Sequence, residues 1–372
     1  MTAPLSPDAE APLTCPHCHH ALHELVVNPA GELIGCESCA EELGLAGEAL
    51  SLDEWYATDQ VEEALECYPL SGWQIAKPAA TETQRPRAHF WEVSSGSKRY
   101  YLKQFHPWFP PESITYVHSI HQRVIEEGLP APRVVLDREG ATFTHIGATY
   151  WALYSALDGR HANEREWMWG RPKAAETLGA LHAALEGFTP EGESFGPWAA
   201  WSLDTVDRVL EGWGPRQELS PELLGFVRDR LARRYFAELY PELPKLVVHG
   251  DFVSANVLWR GDAISSNISG ILDFERAHVD TALFDFAWGL GDRRPPLLRA
   301  TVASYTRARQ LSPLEREALP EALLLGMLMA IDMQMTYFGN MREVARLAAE
   351  LHYTVRDLES LRKAVALKPT GF

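Results

Sequence analysis

The first 76 residues contain no lysine and no arginine, and the first basic side chain is Lys77. Fourteen aspartates and glutamates lie in that leader, while the rest of the 372-residue chain is close to charge balance. Most of the net charge of −17 therefore belongs to the leader. A surface of this sign repels phosphate backbones, which argues against nucleic acid as a partner. Long apolar runs are also missing: no stretch of about 18 apolar residues is present to cross a bilayer, so no membrane is expected either. The opening MTAPLSPDAEAPLTCP lacks a basic n-region and an apolar h-region, so a secretory signal is not expected and a cytoplasmic setting is. What the chain does have is 46% hydrophobic residues and 12 tryptophans, enough for a sizeable core and against disorder.

Cysteine is scarce but patterned. Cys15 and Cys18 form one C-x-x-C pair, Cys36 and Cys39 a second, with 17 residues between them. Two such knuckles match a zinc ribbon, whose four thiolates close a tetrahedral site at about 2.3 Å per Zn–S bond. The intervening HHALHELVVNPAGELIG carries the turn signal Asn28-Pro29-Ala30-Gly31 between apolar stretches, as a ribbon hairpin requires. The spacing leaves iron open as the metal, and one of His17, His19, His20 or His23 could replace a cysteine. Four thiolates leave no open coordination position, so the expected role is structural or for docking a protein partner. The fifth cysteine, Cys67, reads as an apolar filler.

Beyond the ribbon, Ser51 and Glu54 have capping-box spacing, which predicts a short helix. RAHFWEV-SSGS-KRYYLKQF predicts a β-hairpin with Lys103 on the same face as Tyr101 and Phe105. A lysine between two aromatics on an inward face is costly unless it meets an anion. A helix stopped at Gly128, a proline-bracketed turn, a strand and then two more strands follow. From Glu164 the apolar spacing is helical, and Ser312-Pro313-Leu314-Glu315 is a capping box. The expected organisation is α+β: an acidic leader with the ribbon over 1–50, a helical connector over 51–72, a small β-rich lobe over 73–154 and a large helical lobe over 155–372.

The chemistry concentrates in LVVHGDFVSANVLW and GILDF. Asn256 begins one strand of a hairpin and Asp273 ends the other, so antiparallel pairing brings them together, with Asp251 just across a short loop. Phosphoryl transfer has this requirement: one aspartate to receive or orient a hydroxyl, an asparagine and a second aspartate to hold Mg²⁺, and a lysine for the nucleotide phosphates. Asp251, Asn256, Asp273 and Lys103 fill those places. His249 reads as a brace for the loop.

VVHGDFVSANVLW and GILDFERAHVDTALFDFA resemble the signature of the aminoglycoside phosphotransferase family, which is similar to choline and homoserine kinases. The resemblance runs from Trp73 to the C-terminus and excludes the ribbon. It implies a bilobal protein-kinase-like fold, ATP and Mg²⁺ as cofactors, and a small-molecule hydroxyl as phosphate acceptor. By it, Asp251 matches the catalytic aspartate, Asn256 and Asp273 the magnesium ligands, and Asp285 an aspartate supporting the site from the next helix. ALYSALDGR resembles the adenine-receiving hinge, and PKAAETLGALHAALEGF the helix ahead of the catalytic loop. Two departures stand out. The nucleotide loop AATETQRPRAHF has no glycine, leaving Arg85 or Arg87 to supply charge. The helix TYVHSIHQRVIEEG offers His118 and His121 where a glutamate partner of Lys103 is expected. These departures favour an alternative, a nucleotide-binding regulatory module that docks a partner through its ribbon; the complete set Asp251, Asn256 and Asp273 disfavours it. A protein kinase is disfavoured by the absence of HRD, DFG and APE sequences in the right places.

Overall fold

The computed structural model describes residues 24–27, 33–35, 48–51, 60–76, 89–105, 109–147, 149–195, 202–203, 206–207, 210, 221–263, 267–291, 294–336, 341–356 and 358–366. The chain groups into two compact units, Met1–His118 with Pro132–Ala156, and Ser119–Ala131 with Leu157–Phe372. The second unit thus takes residues 119–131 from within the stretch expected for the β-rich lobe.

In the first unit, β1 (Glu24–Val27), β2 (Leu33–Gly35) and β3 (Glu48–Ser51) form an antiparallel sheet in the order β2-β1-β3. β1 and β2 pair across the Asn28–Gly31 segment. Cys15, Cys18, Cys36 and Cys39 lie outside the described residues. Ser51 ends β3, paired with Glu24, and the first described helix is α1 (Gln60–Glu66).

α1 packs closely against the larger sheet. Its Val61, Ala64 and Leu65, with Tyr68 just beyond, pack into one buried cluster with Trp91, Leu102, Trp151 and Leu153. The Tyr68 hydroxyl donates to the carbonyl of Trp151 at 3.0 Å. Cys67 packs against the same cluster as a free, half-buried thiol. Burying each large apolar side chain contributes roughly 1.5–3 kcal/mol, so this helix is part of what holds the sheet.

That sheet has β4 (Trp73–Ala76), β5 (His89–Ser95), β6 (Lys98–Gln104), β7 (Val134–Val135), β8 (Thr144–Ile146) and β9 (Thr149–Ser155). Their order is β4-β5-β6-β9-β7, with β8 on β9. β5 and β6 are joined by a two-residue turn in which Gly96 has φ +60°, the conformation that a tight hairpin demands. Helix α2 (Pro111–Glu126) follows and ends at Gly128, φ +78°, where Leu129 N–H closes back on the Val124 carbonyl at 3.0 Å.

The second unit carries β10 (Arg160–His161), α3 (Glu164–Leu185), α4 (Pro221–Arg230) and a π-helical stretch, Leu231–Leu239. Asn163 and Glu166 form a reciprocal capping box at the start of α3. β11 (Lys245–Val248), β12 (Val257–Trp259), β13 (Ile268–Ile271) and β14 (His278–Thr281) come next. α5 (Ala282–Asp285) then runs into a π-helical turn, Phe286–Leu290. Helices α6 (Pro295–Ala308), α7 (Pro313–Thr336), α8 (Met341–Arg356) and α9 (Leu358–Ala366) complete the unit. The capping box at Ser312 and Glu315 forms as its spacing predicts. Ala318–Met329 is buried at every position, which makes α7 the central helix of the unit. No helix among the described residues is long and apolar enough to cross a membrane.

Candidate active site

β11 pairs antiparallel with β14, with Val248 opposite His278, and the chain then turns sharply at His249-Gly250-Asp251. Gly250 has φ +79°, and a Cβ there would stand 2.0 Å from the carbonyl oxygen of Arg276, so only glycine lets the loop pass. β14 gives no strand signal in the sequence because its pattern is inverted. His278, Asp280 and Thr281 are buried, whereas Val279 is 57% exposed.

A 3-10 turn, Ser254–Asn256, leads into β12, which pairs with β13. Leu272 N–H donates to the Asn256 carbonyl at 2.9 Å, so Asn256 and Asp273 meet at one end of this hairpin, as its pairing predicts. Asp273 has φ +61°, the one positive φ outside glycine among the described residues, and its side chain is exposed. Such a backbone costs of order 1–3 kcal/mol and persists where neighbours fix it. Here the fixing neighbour is Phe274, fully buried between the rings of His121 at 4.8 Å and His249 at 4.6 Å.

The Asn256 amide donates to the backbone carbonyl of Asp251 at 2.9 Å and to its Oδ2 at 3.2 Å. With its hydrogens spent there, the amide oxygen of Asn256 remains as an acceptor. Together with the exposed Asp273 carboxylate it supplies the hard oxygen donors that suit a small divalent cation. The other carboxylate oxygen of Asp251, Oδ1, accepts from the indole Nε1–H of Trp288 at 3.0 Å, and Arg276 Nη1 stands 3.8 Å from it. Nothing in the spacing of AWGL marks Trp288 beforehand.

Asp285 holds the loop from below. Its two oxygens accept from the backbone N–H groups of His249 at 2.6 Å and Gly250 at 2.7 Å. Burial alone would raise the Asp285 carboxyl, but the hydrogen bond and charge of His182, with the His249 contacts, hold it below the ordinary range. His182 contacts the Tyr305 hydroxyl at 2.7 Å through Nδ1, and that hydroxyl accepts from Arg309 at 3.3 Å. Arg309 in turn pairs with Glu315 at 2.8 Å. The loop is thus tied through side chains to α3, α6 and the start of α7. His249 is a brace, as its sequence position suggests: Nε2–H donates to the Leu272 carbonyl at 2.9 Å, while Nδ1 accepts from Asp251 N–H at 3.2 Å. Both ring nitrogens are spent.

Lys103 lies in the first unit on β6, between β5 and β9, and is only 6% exposed. Its ammonium sits 5.1 Å from the Phe90 ring and 5.4 Å from the Phe105 ring. The aromatic flanks are therefore Phe105 and the cross-strand Phe90; Tyr101, expected from the sequence, is not among these ring contacts. Such cation–π contacts partly offset the burial of the charge. His118, in the place expected for a glutamate, contacts the Tyr154 hydroxyl at 2.7 Å. Arg85 and Arg87 lie outside the described residues.

A cavity of about 860 Å³ lies elsewhere in the second unit, lined by Phe226, Arg230, Arg234 and Arg362 among others, and includes none of the site residues. Its guanidinium groups are largely paired: Arg230 and Arg362 share the buried Glu321, and Arg234 meets Glu317. A solvated ion-pair surface accounts for it.

A β-sheet unit with a buried lysine beside its centre, and a helical unit presenting Asp251, Asn256 and Asp273, define the kinase-like class. Residues 85–321 match the phosphotransferase enzyme family, and the chain belongs to that family. It is 29% identical over 238 residues to the homoserine kinase of Caulobacter sp. (strain K31), covering 62% of this chain and 71% of that one. With the homoserine kinase of Caulobacter vibrioides (strain NA1000 / CB15N) it shares 26% over 277 residues, 71% of this chain and 83% of the relative. Among solved structures it resembles the microcompartment-associated aminopropanol kinase, with a TM-score of 0.60 at 16% identity over 84% of this chain and 100% of that one. The aminoglycoside phosphotransferase from Alicyclobacillus acidocaldarius gives 0.56 at 18% identity, over 82% and 96%. These structural likenesses concern the fold. The chain is a small-molecule phosphotransferase.

Proposed function

We propose that the protein transfers the γ-phosphoryl group of ATP, as its Mg²⁺ complex, to a hydroxyl of a small molecule, with Asp251 orienting and deprotonating that hydroxyl. The observation that carries this reading is the Asp251–Asn256 bond at the end of the β12–β13 hairpin. It ties the asparagine amide to the aspartate backbone, at the hairpin end where the Asn256 backbone pairs with Leu272, the residue before Asp273. Asn256 and Asp273 would hold Mg²⁺, and Lys103 the nucleotide phosphates. When bound, ATP supplies the phosphoryl group and Mg²⁺ neutralises charge. The acceptor oxygen bonds to the γ-phosphorus as the bond to ADP breaks, the electron pair leaves with ADP, and the hydroxyl proton passes to Asp251. The relatives' names, homoserine kinase and aminopropanol kinase, make amino alcohols the first acceptors to try.

Cys15, Cys18, Cys36 and Cys39 are proposed to hold a structural Zn²⁺ in the acidic leader, a docking element for a protein partner. Thiolate ligation requires a reducing compartment, in keeping with a cytoplasmic setting. Metal analysis of the full chain should give one zinc, lost on substituting Cys15 and Cys36; metal-free protein with an unchanged leader would refute this.

The test of the main reading is ADP release from Mg-ATP with a panel of amino alcohols and aminoglycosides. Release that depends on one acceptor and disappears in Asp251→Asn supports it. Full activity in Asp251→Asn overturns the assignment.

A further inference from the structure

We propose that Trp288 is a positioning residue for phosphoryl transfer, its indole N–H fixing the Asp251 carboxylate in the orientation that receives the acceptor hydroxyl. This rests on the reading of Asp251 given above.

A carboxylate that is 20% exposed, as that of Asp251 is, can turn about its terminal torsion unless both oxygens are held. Asn256 holds Oδ2 at 3.2 Å and Trp288 holds Oδ1 at 3.0 Å. A carboxylate offers about four acceptor sites, so one donor on each oxygen leaves room for an incoming hydroxyl on either. Indole nitrogen is a donor only. It can hold an acceptor in place, but it cannot take a proton or compete for the hydroxyl. Asn256 is assigned a second duty toward the cation, and Arg276 Nη1 stands off at 3.8 Å as an ion-pair partner, so Trp288 is the hydrogen-bond donor whose duty is to the carboxylate.

The placement of Trp288 is built into the backbone. It lies on the π-helical turn Phe286–Leu290 that interrupts the helix begun at Ala282, and such turns re-aim side chains relative to a continuous α-helix. Gly289 lets this turn press against the catalytic loop: a Cβ there would stand 1.7 Å from the carbonyl oxygen of Phe252, the residue after Asp251. On the other side, a Cβ on Gly326 of α7 would stand 2.8 Å from the carbonyl oxygen of Ala287. Held between loop and central helix, Trp288 stays half-buried, its N–H on Asp251 and part of its ring open.

The experiment compares Trp288→Phe, which removes the donor, with Trp288→His, which retains a ring N–H, using the best acceptor of the panel or water where none is better. Trp288→Phe should lower kcat about 10- to 100-fold, the worth of one hydrogen bond to a charged group, with KM for Mg-ATP within about twofold of wild type. Trp288→His should recover part of the loss. A kcat in Trp288→Phe within about twofold of wild type overturns the proposal, as does an equal loss in both variants, which would mean a packing role. Full activity in Asp251→Asn, or no ADP release by the wild type, instead overturns the reading on which the proposal rests.

Discussion

His182 and Asp285 meet at 3.0 Å, and both side chains are completely buried. The same Asp285 carboxylate receives two consecutive backbone N–H groups of the His249–Asp251 loop. Removing it would strand three buried donors, and Asp285→Ala should cost about 3–5 kcal/mol in urea unfolding, with loss of activity. The pH dependence has a definite sign. The folded carboxyl lies below its ordinary value, so its contribution is full above the unfolded carboxylate pKa and is lost as pH falls through the lower folded value. Asp285→Asn should flatten that acid limb.

The close approach of Gly289 to the Phe252 carbonyl gives a second expectation. Gly289→Ala should destabilise by about 1–3 kcal/mol or displace the turn. Either outcome disturbs Trp288 and Asp251 together, so kcat should fall even where the variant remains folded. A wild-type unfolding midpoint and wild-type kcat would contradict the packing described.

Asn256→Ala and Asp273→Ala test the proposed cation ligands. Each should raise the Mg²⁺ concentration needed for half-maximal activity by at least about tenfold, since one oxygen donor is lost. Lys103→Ala should remove most of the stabilisation by Mg-ATP, which for the wild type is about 2.7 kcal/mol at a hundred times the dissociation constant. An unchanged thermal shift would take Lys103 out of the nucleotide site.

A separate pH effect is expected at β14. Burial works to lower the His278 imidazole, but Asp280, with its oxygen 3.7 Å away, and the Arg276 carbonyl at 2.8 Å carry it above its ordinary value. At 3.7 Å the contact is an ion pair rather than a hydrogen bond. Its stabilisation is full below the unfolded imidazole value of about 6.5 and is lost as pH rises through the higher folded value. The urea midpoint should therefore decline from pH 6 to pH 9, with less decline in His278→Gln.

The placement of the candidate site residues was readable because it depends on short-range register. Asp251, Asn256 and Asp273 are separated by one tight loop and one hairpin, and antiparallel pairing fixes where a hairpin's two ends lie. Gly128 as a helix stop and Ser312 with Glu315 as a cap were readable for the same reason: each motif satisfies its own backbone groups locally. β14 was not, because it turns His278 and Asp280 inward, where the Tyr240 hydroxyl at 2.9 Å and Lys245 at 3.5 Å compensate Asp280 from other elements. Nor was the packing of α1, whose short sequence does not show the β-sheet surface it covers.

The sequence by itself determined the class of chemistry, through residue types at spacings that a hairpin and a tight loop turn into a site. Only the tertiary structure decided what holds that site in shape. His182 is 103 residues from Asp285, and Trp288 is 37 from Asp251. Contacts at such separations follow from how helices and loops pack, not from any periodicity along the chain. A donor that bonds a carboxylate across that distance leaves no mark in its own neighbourhood, so its partner becomes visible only when the fold has closed.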